Sequence, residues 1–438
     1  MHSPEQLQAL ISSRRDGWSL PGEFYREDDV YRAEMDAIWR RQWLFVGHAC
    51  QVPGPGDFLV VPVDTDSILI IRGEDRNLRA MHNVCRHRGT QICQEESGHA
   101  TKLVCPYHQW VYGSDGSLLS CRGMQGDLEK SELGLKRVHL RTIEGMMYIC
   151  LSDQPPEFDP ASEAMSPVAR PQGLGKAKVA EVVDYEVDAN WKLVWENNRE
   201  CYHCNAQHPQ YIKANFDHFN EDDTSEATRS RIESAVEHGE KKWREAGLAI
   251  SHKQTGMACF PDPERDLWYS ANRTALAEGY VSETMDGRQV STLMGDYTDP
   301  DVGTVRMRTM PNMWIHCSCD HAVSTRLLPA GREKTMVRVA WLVDENAEEG
   351  VDYELDKIMP FWELTSEQDW EICQKAQRGV VSGGYQPGPF STYKEYNVDA
   401  FVRWYLKSLS VGSWAPRHER NGRLSSTCVD HQTPQSLS

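Results

Sequence analysis

The sequence predicts an α+β chain: a small all-β domain, then a larger domain of antiparallel sheet with helices covering one side. Three observations carry this. Residues 42–155 break into short β-like runs with turn signals between them. Residues 156–175 are rich in Pro, Ala and Ser, and residues 176–410 mix strand-like with helix-like periods.

In chain order, residues 1–41 read as a helical lead-in. Asp28 or Asp29 is placed to cap a helix carrying Tyr31, Met35, Ile38 and Trp39 on one face. Strands are expected at 58–63, 67–72, 78–84, 103–104, 110–112 and 147–151, with turns at Gly54-Pro55-Gly56 and Ser114-Asp115-Gly116-Ser117. The stretch 156–175 reads as a linker and 176–410 as the second domain. Within it, 221–247 is a charge-laced helical excursion whose charges face solvent. Residues 411–438 read as a polar tail, and no internal repeat is visible.

Composition narrows the function classes. A net charge of −18 argues against nucleic acid and anionic membrane as partners. No apolar run approaches the roughly 18 residues a membrane-spanning helix needs. The first residues, Met1 to Glu5, lack a basic-then-apolar pattern, so no signal peptide is expected and the default location is cytoplasmic. Thirteen cysteines, an odd number spread over a long chain, do not suggest a disulfide framework. Most are expected to be small buried hydrophobes and a few to hold metal.

The first metal motif pairs Cys85-Arg86-His87 with Cys105-Pro106-Tyr107-His108. Each short segment offers a thiolate and an imidazole. A structural zinc site spaces its ligands more widely, and Cys-x-His on one tight loop crowds a single tetrahedral ion. A two-iron cluster resolves this: one iron takes Cys85 and Cys105, the other His87 and His108. Two imidazoles in place of two thiolates raise the reduction potential above that of all-cysteine clusters. With their flanks, Asn83 to Gly89 and Cys105 to Trp110, these segments resemble the Rieske non-haem iron oxygenase family. The all-β domain is then a Rieske [2Fe-2S] domain. Gln109 stands where many family members carry glycine, and Cys93, between the motifs, is expected in the core.

The second motif is Glu200-Cys201-Tyr202-His203 followed by His208-Pro209. Two histidines and a later carboxylate would form the facial triad of non-haem iron(II). Five residues turn an ideal helix through about 500°, leaving His203 and His208 about 140° apart. They can converge only if the helix ends between them, and Pro209 disfavours helical geometry at His208. The chain is therefore expected to leave a helix near Tyr202.

The resemblance implies further assignments. Asp369 looks like the family's late acidic ligand, placed at the start of a helix, with Ser366 at capping-box spacing and Glu367 and Glu371 as substitutes. Glu200 resembles the acidic residue that hydrogen-bonds the first triad histidine and links it to a cluster histidine of a neighbouring subunit. Leu193 to Cys204 resembles the stachydrine and glycine-betaine demethylase group, as do Trp341-Leu342-Val343, Glu349 to Tyr353 and Pro387-Gly388-Pro389. Residues 213–305 resemble it least.

The family likeness implies a terminal oxygenase with a Rieske [2Fe-2S] cluster and a mononuclear Fe(II). It would use O2 to hydroxylate an N-methyl group of a quaternary ammonium compound and release formaldehyde. Its partners would be a small-molecule substrate and a flavin/iron-sulfur reductase supplying electrons from NAD(P)H, and it would assemble as a homotrimer. Trp314, Trp195 and Tyr202 are candidates for the cation–π wall. Choline or carnitine oxygenation, aromatic-ring hydroxylation and a non-enzymatic electron carrier remain open on the residues alone.

Overall fold

The computed structural model describes residues 3–124, 128–215, 225–250, 260–262, 264 and 267–412. The strands of the first half form a seven-stranded antiparallel sheet. Its order is Leu44–His48, Met146–Cys150, Arg137–Ile143, Leu78–His82, Asp66–Arg72, Asp57–Val63 and Ser97–His99. A three-stranded ribbon, Leu103–Val104, Val111–Tyr112 and Leu118–Ser120, carries the second cluster loop. Between them lies a small core of its own, including Phe58, Leu69, Ile71, Met81, Leu103 and Tyr112.

The second half is built on a six-stranded antiparallel sheet. Its order is Lys178–Val187, Lys334–Val343, Ala322–Gly331, Met313–Cys317, Thr304–Thr309 and Tyr269–Thr274. The helices Trp191–Asn198 and Pro360–Val380 pack on each other over this sheet. The main core runs from the N-terminal helices through both large sheets.

Three expectations change, and the charge-laced excursion is helical as expected. The stretch read as a linker contains the helix Asp159–Ala169, whose buried Ala161, Ala164, Met165, Val168 and Ala169 follow helical spacing. It packs on the strand Tyr269–Thr274. Its stripe is mostly alanine and its sequence holds Pro160 and Pro167, which made the composition look like a linker. Near the N-terminus, Asp28 is the first residue of the helix Asp28–Glu34 and no side chain caps it. The stripe beyond, Met35–Trp39, is wound as a π-helix, with the Arg40 amide reaching the Met35 carbonyl at 3.0 Å. The excursion is the helix Glu226–Glu245, exposed along most of its length but anchored by buried Ile232 and Trp243. The polar tail lies outside the described residues from 413 onward.

One buried polar cluster ties three distant segments together. Glu34, fully buried, accepts from Lys192 Nζ at 2.6 Å, Tyr405 Oη at 2.6 Å and Trp191 Nε1 at 2.8 Å. Desolvation pulls the Lys192 ammonium below its ordinary range, and Glu34 opposes it. Removing one member of such a pair strands a buried charge at a cost of about 3–5 kcal/mol. Lys192→Met should therefore lower the guanidinium unfolding midpoint markedly, and Glu34→Gln combined with Lys192→Met should regain much of the loss. Equal midpoints for wild type and Lys192→Met would show that the pair does not hold these helices.

Candidate active site and metal centres

The two cluster loops are built alike. The Cys85 amide donates to the Thr90 carbonyl at 2.9 Å and the Gly89 amide to the Cys85 carbonyl at 3.0 Å. In the second loop the Cys105 amide reaches the Trp110 carbonyl at 2.8 Å and the Gln109 amide reaches the Cys105 carbonyl at 3.0 Å. The residue closing each turn is left-handed: Gly89 has φ +79° and Gln109 has φ +57°. Gln109 thus keeps the glycine conformation despite its side chain, at a cost of about 1 kcal/mol.

Cys85 and Cys105 are buried, His87 is half-buried and His108 is exposed. The two imidazoles stand 4.5 Å apart between centroids, and Trp110 stacks on His87 at 4.9 Å. Tyr112 Oη lies 3.3 Å from Cys85 Sγ while accepting the Arg86 amide at 3.0 Å. Nδ1 of His87 is buried with no hydrogen-bond partner, as suits an atom kept for a metal bond. Two thiolates and two imidazoles on paired loops are the donors that a [2Fe-2S] centre with two histidine ligands needs. The set fits a two-iron cluster. Cys93 is half-buried against the small core rather than inside it, and burial pushes its thiol up to about 11.

The second centre forms where a helix stops. The helix Trp191–Asn198 ends four residues before Tyr202, and residues 199–203 bend into the single turn Cys204–Gln207. His208, with φ −123° and ψ 66°, is the non-helical joint between that turn and the helix Pro209–Ala214. The bend and the joint bring His203 Nε2 and His208 Nε2 to 3.1 Å of each other. Asp369 Oδ1 completes the trio, 2.9 Å from His208 Nε2 and 3.2 Å from His203 Nε2.

Asp369 does not begin a helix. It is the tenth residue of the helix Pro360–Val380, with Ser366 buried inside it, so the capping-box spacing is coincidental. A mid-helix position suits a ligand held rigidly against a second helix. The substitutes Glu367 and Glu371 are exposed, and Glu371 pairs with Lys375 at 2.6 Å.

The outer ring nitrogens are also held. Glu200 Oε1 lies 2.5 Å from His203 Nδ1. Gln368 Oε1 lies 2.7 Å from His208 Nδ1, and Gln210 Nε2 donates to that same oxygen at 2.9 Å and to Thr365 Oγ1 at 3.0 Å. With both Nδ1 protons engaged, the two Nε2 lone pairs face Asp369. Burial lowers the His203 imidazole, but the Asp369 and Glu200 carboxylates outweigh it and raise it to about 10. A divalent cation is favoured by the same negative potential and takes the place of that proton. Sequence reasoning missed Gln368 and Gln210. Nothing in the sequence marks a neutral amide as the partner of an imidazole 160 residues away.

Cys201 and Cys204, whose Cα atoms are 5.0 Å apart, form a disulfide across the bend. No disulfide is expected from the cysteine count and spread, and the Cys-x-x-Cys spacing of this pair is the signal passed over. Cys204 Sγ stands 3.9 Å from His203 Nε2, but its bond to Cys201 keeps it from serving as a thiolate ligand.

The trio opens onto a cavity of about 1020 Å³, counting its mouth. Of the proposed aromatic walls only Trp314 lines it. Trp195 is fully buried behind Trp314, at 5.3 Å between rings, and Tyr202 is exposed beneath Lys394. Trp362, Trp370, Tyr211 and Phe260 line the cavity instead.

Substitutions at two positions probe this geometry. Gln368→Leu removes the acceptor that orients His208, which should weaken Fe(II) binding about 10- to 100-fold while leaving the cluster's visible spectrum intact. Unchanged iron affinity would remove Gln368 from the site. Gln109→Gly should relieve the left-handed strain and stabilise the cluster domain by about 1 kcal/mol, read from loss of cluster colour in denaturant. A lower midpoint would show that the Gln109 side chain itself supports the loop.

Residues 42–133 match the Rieske [2Fe-2S] domain family, and residues 174–410 match the family described as ring hydroxylating alpha subunit (catalytic domain). The glycine betaine monooxygenase oxygenase subunit of Chromohalobacter salexigens is 38% identical over 91% of this chain and 88% of its own length. That of Pseudomonas aeruginosa is 36% identical over 91% of each. The quaternary ammonium Rieske monooxygenase CntA, in complex with L-carnitine, shares the fold at a TM-score of 0.65 and 20% identity, covering 91% of this chain and 97% of that one. The chain therefore belongs to the ring-hydroxylating oxygenase alpha-subunit family, oxidoreductases with a Rieske [2Fe-2S] cluster and a mononuclear iron.

Proposed function

We propose that this chain is the terminal oxygenase that hydroxylates an N-methyl group of a quaternary ammonium compound of glycine betaine or proline betaine type. The observation that carries this reading is the His203–His208–Asp369 trio at the edge of a cavity walled by Trp314, Trp362 and Trp370. Indole faces attract a desolvated alkylammonium, and two imidazoles with one carboxylate leave open positions beside the substrate. The likeness to the glycine betaine enzymes over most of the chain supports the same substrate class.

When bound, the cluster would store an electron and the mononuclear iron would activate O2. Cys85, His87, Cys105 and His108 would hold the first, and His203, His208 and Asp369 the second. The reaction takes up O2, two electrons and two protons. One oxygen atom enters a methyl C–H bond and the other leaves as water. The carbinol then loses formaldehyde: its C–N electron pair stays on nitrogen, the hydroxyl proton goes to solvent, and a tertiary amine remains.

The chain's own groups position these parts. Glu200 holds His203 through Nδ1, so it is a positioning residue and, in this reading, the inner end of an electron route. Electrons come from a separate reductase, in this reading a flavin/iron-sulfur protein using NAD(P)H. A homotrimer would bring a neighbour's cluster to Glu200, and the exposure of His108 and Tyr107 at a loop tip supports such docking.

A single turnover tests the reading without the reductase. Protein reduced chemically, freed of reductant and mixed with O2 and glycine betaine should yield stoichiometric formaldehyde. His203→Ala combined with His208→Ala should yield none while keeping its cluster. Hydroxylation of an aromatic compound, with no formaldehyde from any betaine, would overturn the assignment.

A further inference from the structure

The cavity has a floor of a different chemistry from its walls. In the strand Thr304–Thr309, Val305 and Met307 face the core while Arg306 and Arg308 alternate to the other side and line the cavity. Across the sheet Arg308 is paired with Ser270 on one side and Trp314 on the other, and Arg306 with Asn272 and His316. The floor is thus two cross-strand rows, each with one guanidinium at its centre.

Among the described residues neither guanidinium is ion-paired with a carboxylate, and Nε of each is buried without a hydrogen-bond partner. Arg306 donates to the neutral Asn215 Oδ1 at 2.6 Å and lies over the Tyr211 ring. Arg199, in the same wall, is spent on the Phe260 carbonyl. The carboxylate facing this group, Glu283, is fully buried and 3.5 Å from His316 Nδ1. Three guanidiniums against one carboxylate leave the floor positive. Burial, with the Arg306 charge beside it, pushes Arg308 down to about 10, so it stays charged at neutral pH. The metal trio and Glu200 line the same cavity.

A cavity that joins a guanidinium floor to indole walls fits a zwitterion, the first taking an anion and the second an alkylammonium. We infer that Arg308, backed by Arg306, binds the carboxylate of a zwitterionic quaternary amine and so makes the site select betaines over choline-like alcohols with the same ammonium group. The inference rests on the quaternary-amine reading above and adds the anion to it. The planar fork of arginine matches a carboxylate in two parallel hydrogen bonds. Holding that end at the sheet leaves the N-methyl groups directed to the tryptophans and the metal trio. A carboxylate here also supplies the buried charge with an ion-pair partner that none of the described residues provides.

Calorimetric titration with three probes tests this on the intact oxygenase, with cluster absorption as the check on folding. The probes are glycine betaine, choline (ammonium without carboxylate) and 3,3-dimethylbutyrate (the carboxylate with carbon in place of nitrogen). Wild type should bind glycine betaine more tightly than choline. Arg308→Gln should weaken glycine betaine and 3,3-dimethylbutyrate about 30-fold or more and leave choline within about twofold, with Arg308→Lys in between. Wild-type preference for choline, an unchanged glycine betaine affinity in Arg308→Gln, an equal loss for all three probes, or no binding of any would each overturn the inference. Binding of 3,3-dimethylbutyrate through Arg308, with neither ammonium compound bound, would keep the anion site and sink the quaternary-amine reading instead.

Discussion

The buried contact between Glu34 and Lys192 sets the frame in which everything else is placed. It joins the N-terminal helix Asp28–Glu34 to the helix Trp191–Asn198, and through Tyr405 to the helix Tyr396–Gly412. A charge taken this far from water holds its partner in one geometry, because any other leaves an ion unsolvated. The helix so fixed points its C-terminal end at the cavity, and the bend after it delivers Glu200 and His203. The N-terminal helix thereby bears on where Glu200 and His203 are placed.

From that frame the site is built by division of labour between layers. Two helices and a bend supply rigid acidic and imidazole groups from above, and the sheet supplies a wide face from below. Cross-strand pairing gives the floor its row structure, so neighbouring strands present arginine, tryptophan and histidine side by side. The polarity of the cavity is therefore a property of sheet register. The cluster loops, in contrast, sit on short hairpins over a small core and depend on local turns.

What the sequence made legible tracks how local each feature is. The cluster ligands lie on two short loops whose spacing alone separates a two-iron cluster from a single ion. The strands of the first half stand out by composition and turn residues. His203 and His208 were read as a pair from the resemblance, and the proline after the second accounts for the break that lets them converge. Asp369 was found by resemblance but misplaced, since the true helix start at Pro360 lies nine residues upstream and the capping spacing at Ser366 mimics one. The linker helix was hidden because alanine makes a weak stripe. Gln368, Gln210, Trp362 and Trp370 were invisible for a deeper reason: their roles exist only once remote elements meet.

The metal trio also reaches past chemistry. His208 and Asp369 are 161 residues apart along the chain. An ion gripped by both acts as a clasp on that long loop, with a chain-entropy effect on the order of 4 kcal/mol. Occupancy of the centre then becomes a mechanical property of the whole second half. An ion held there would tie the seam between two helices as well as serve the reaction, so its loss would be felt in the fold as well as in the chemistry.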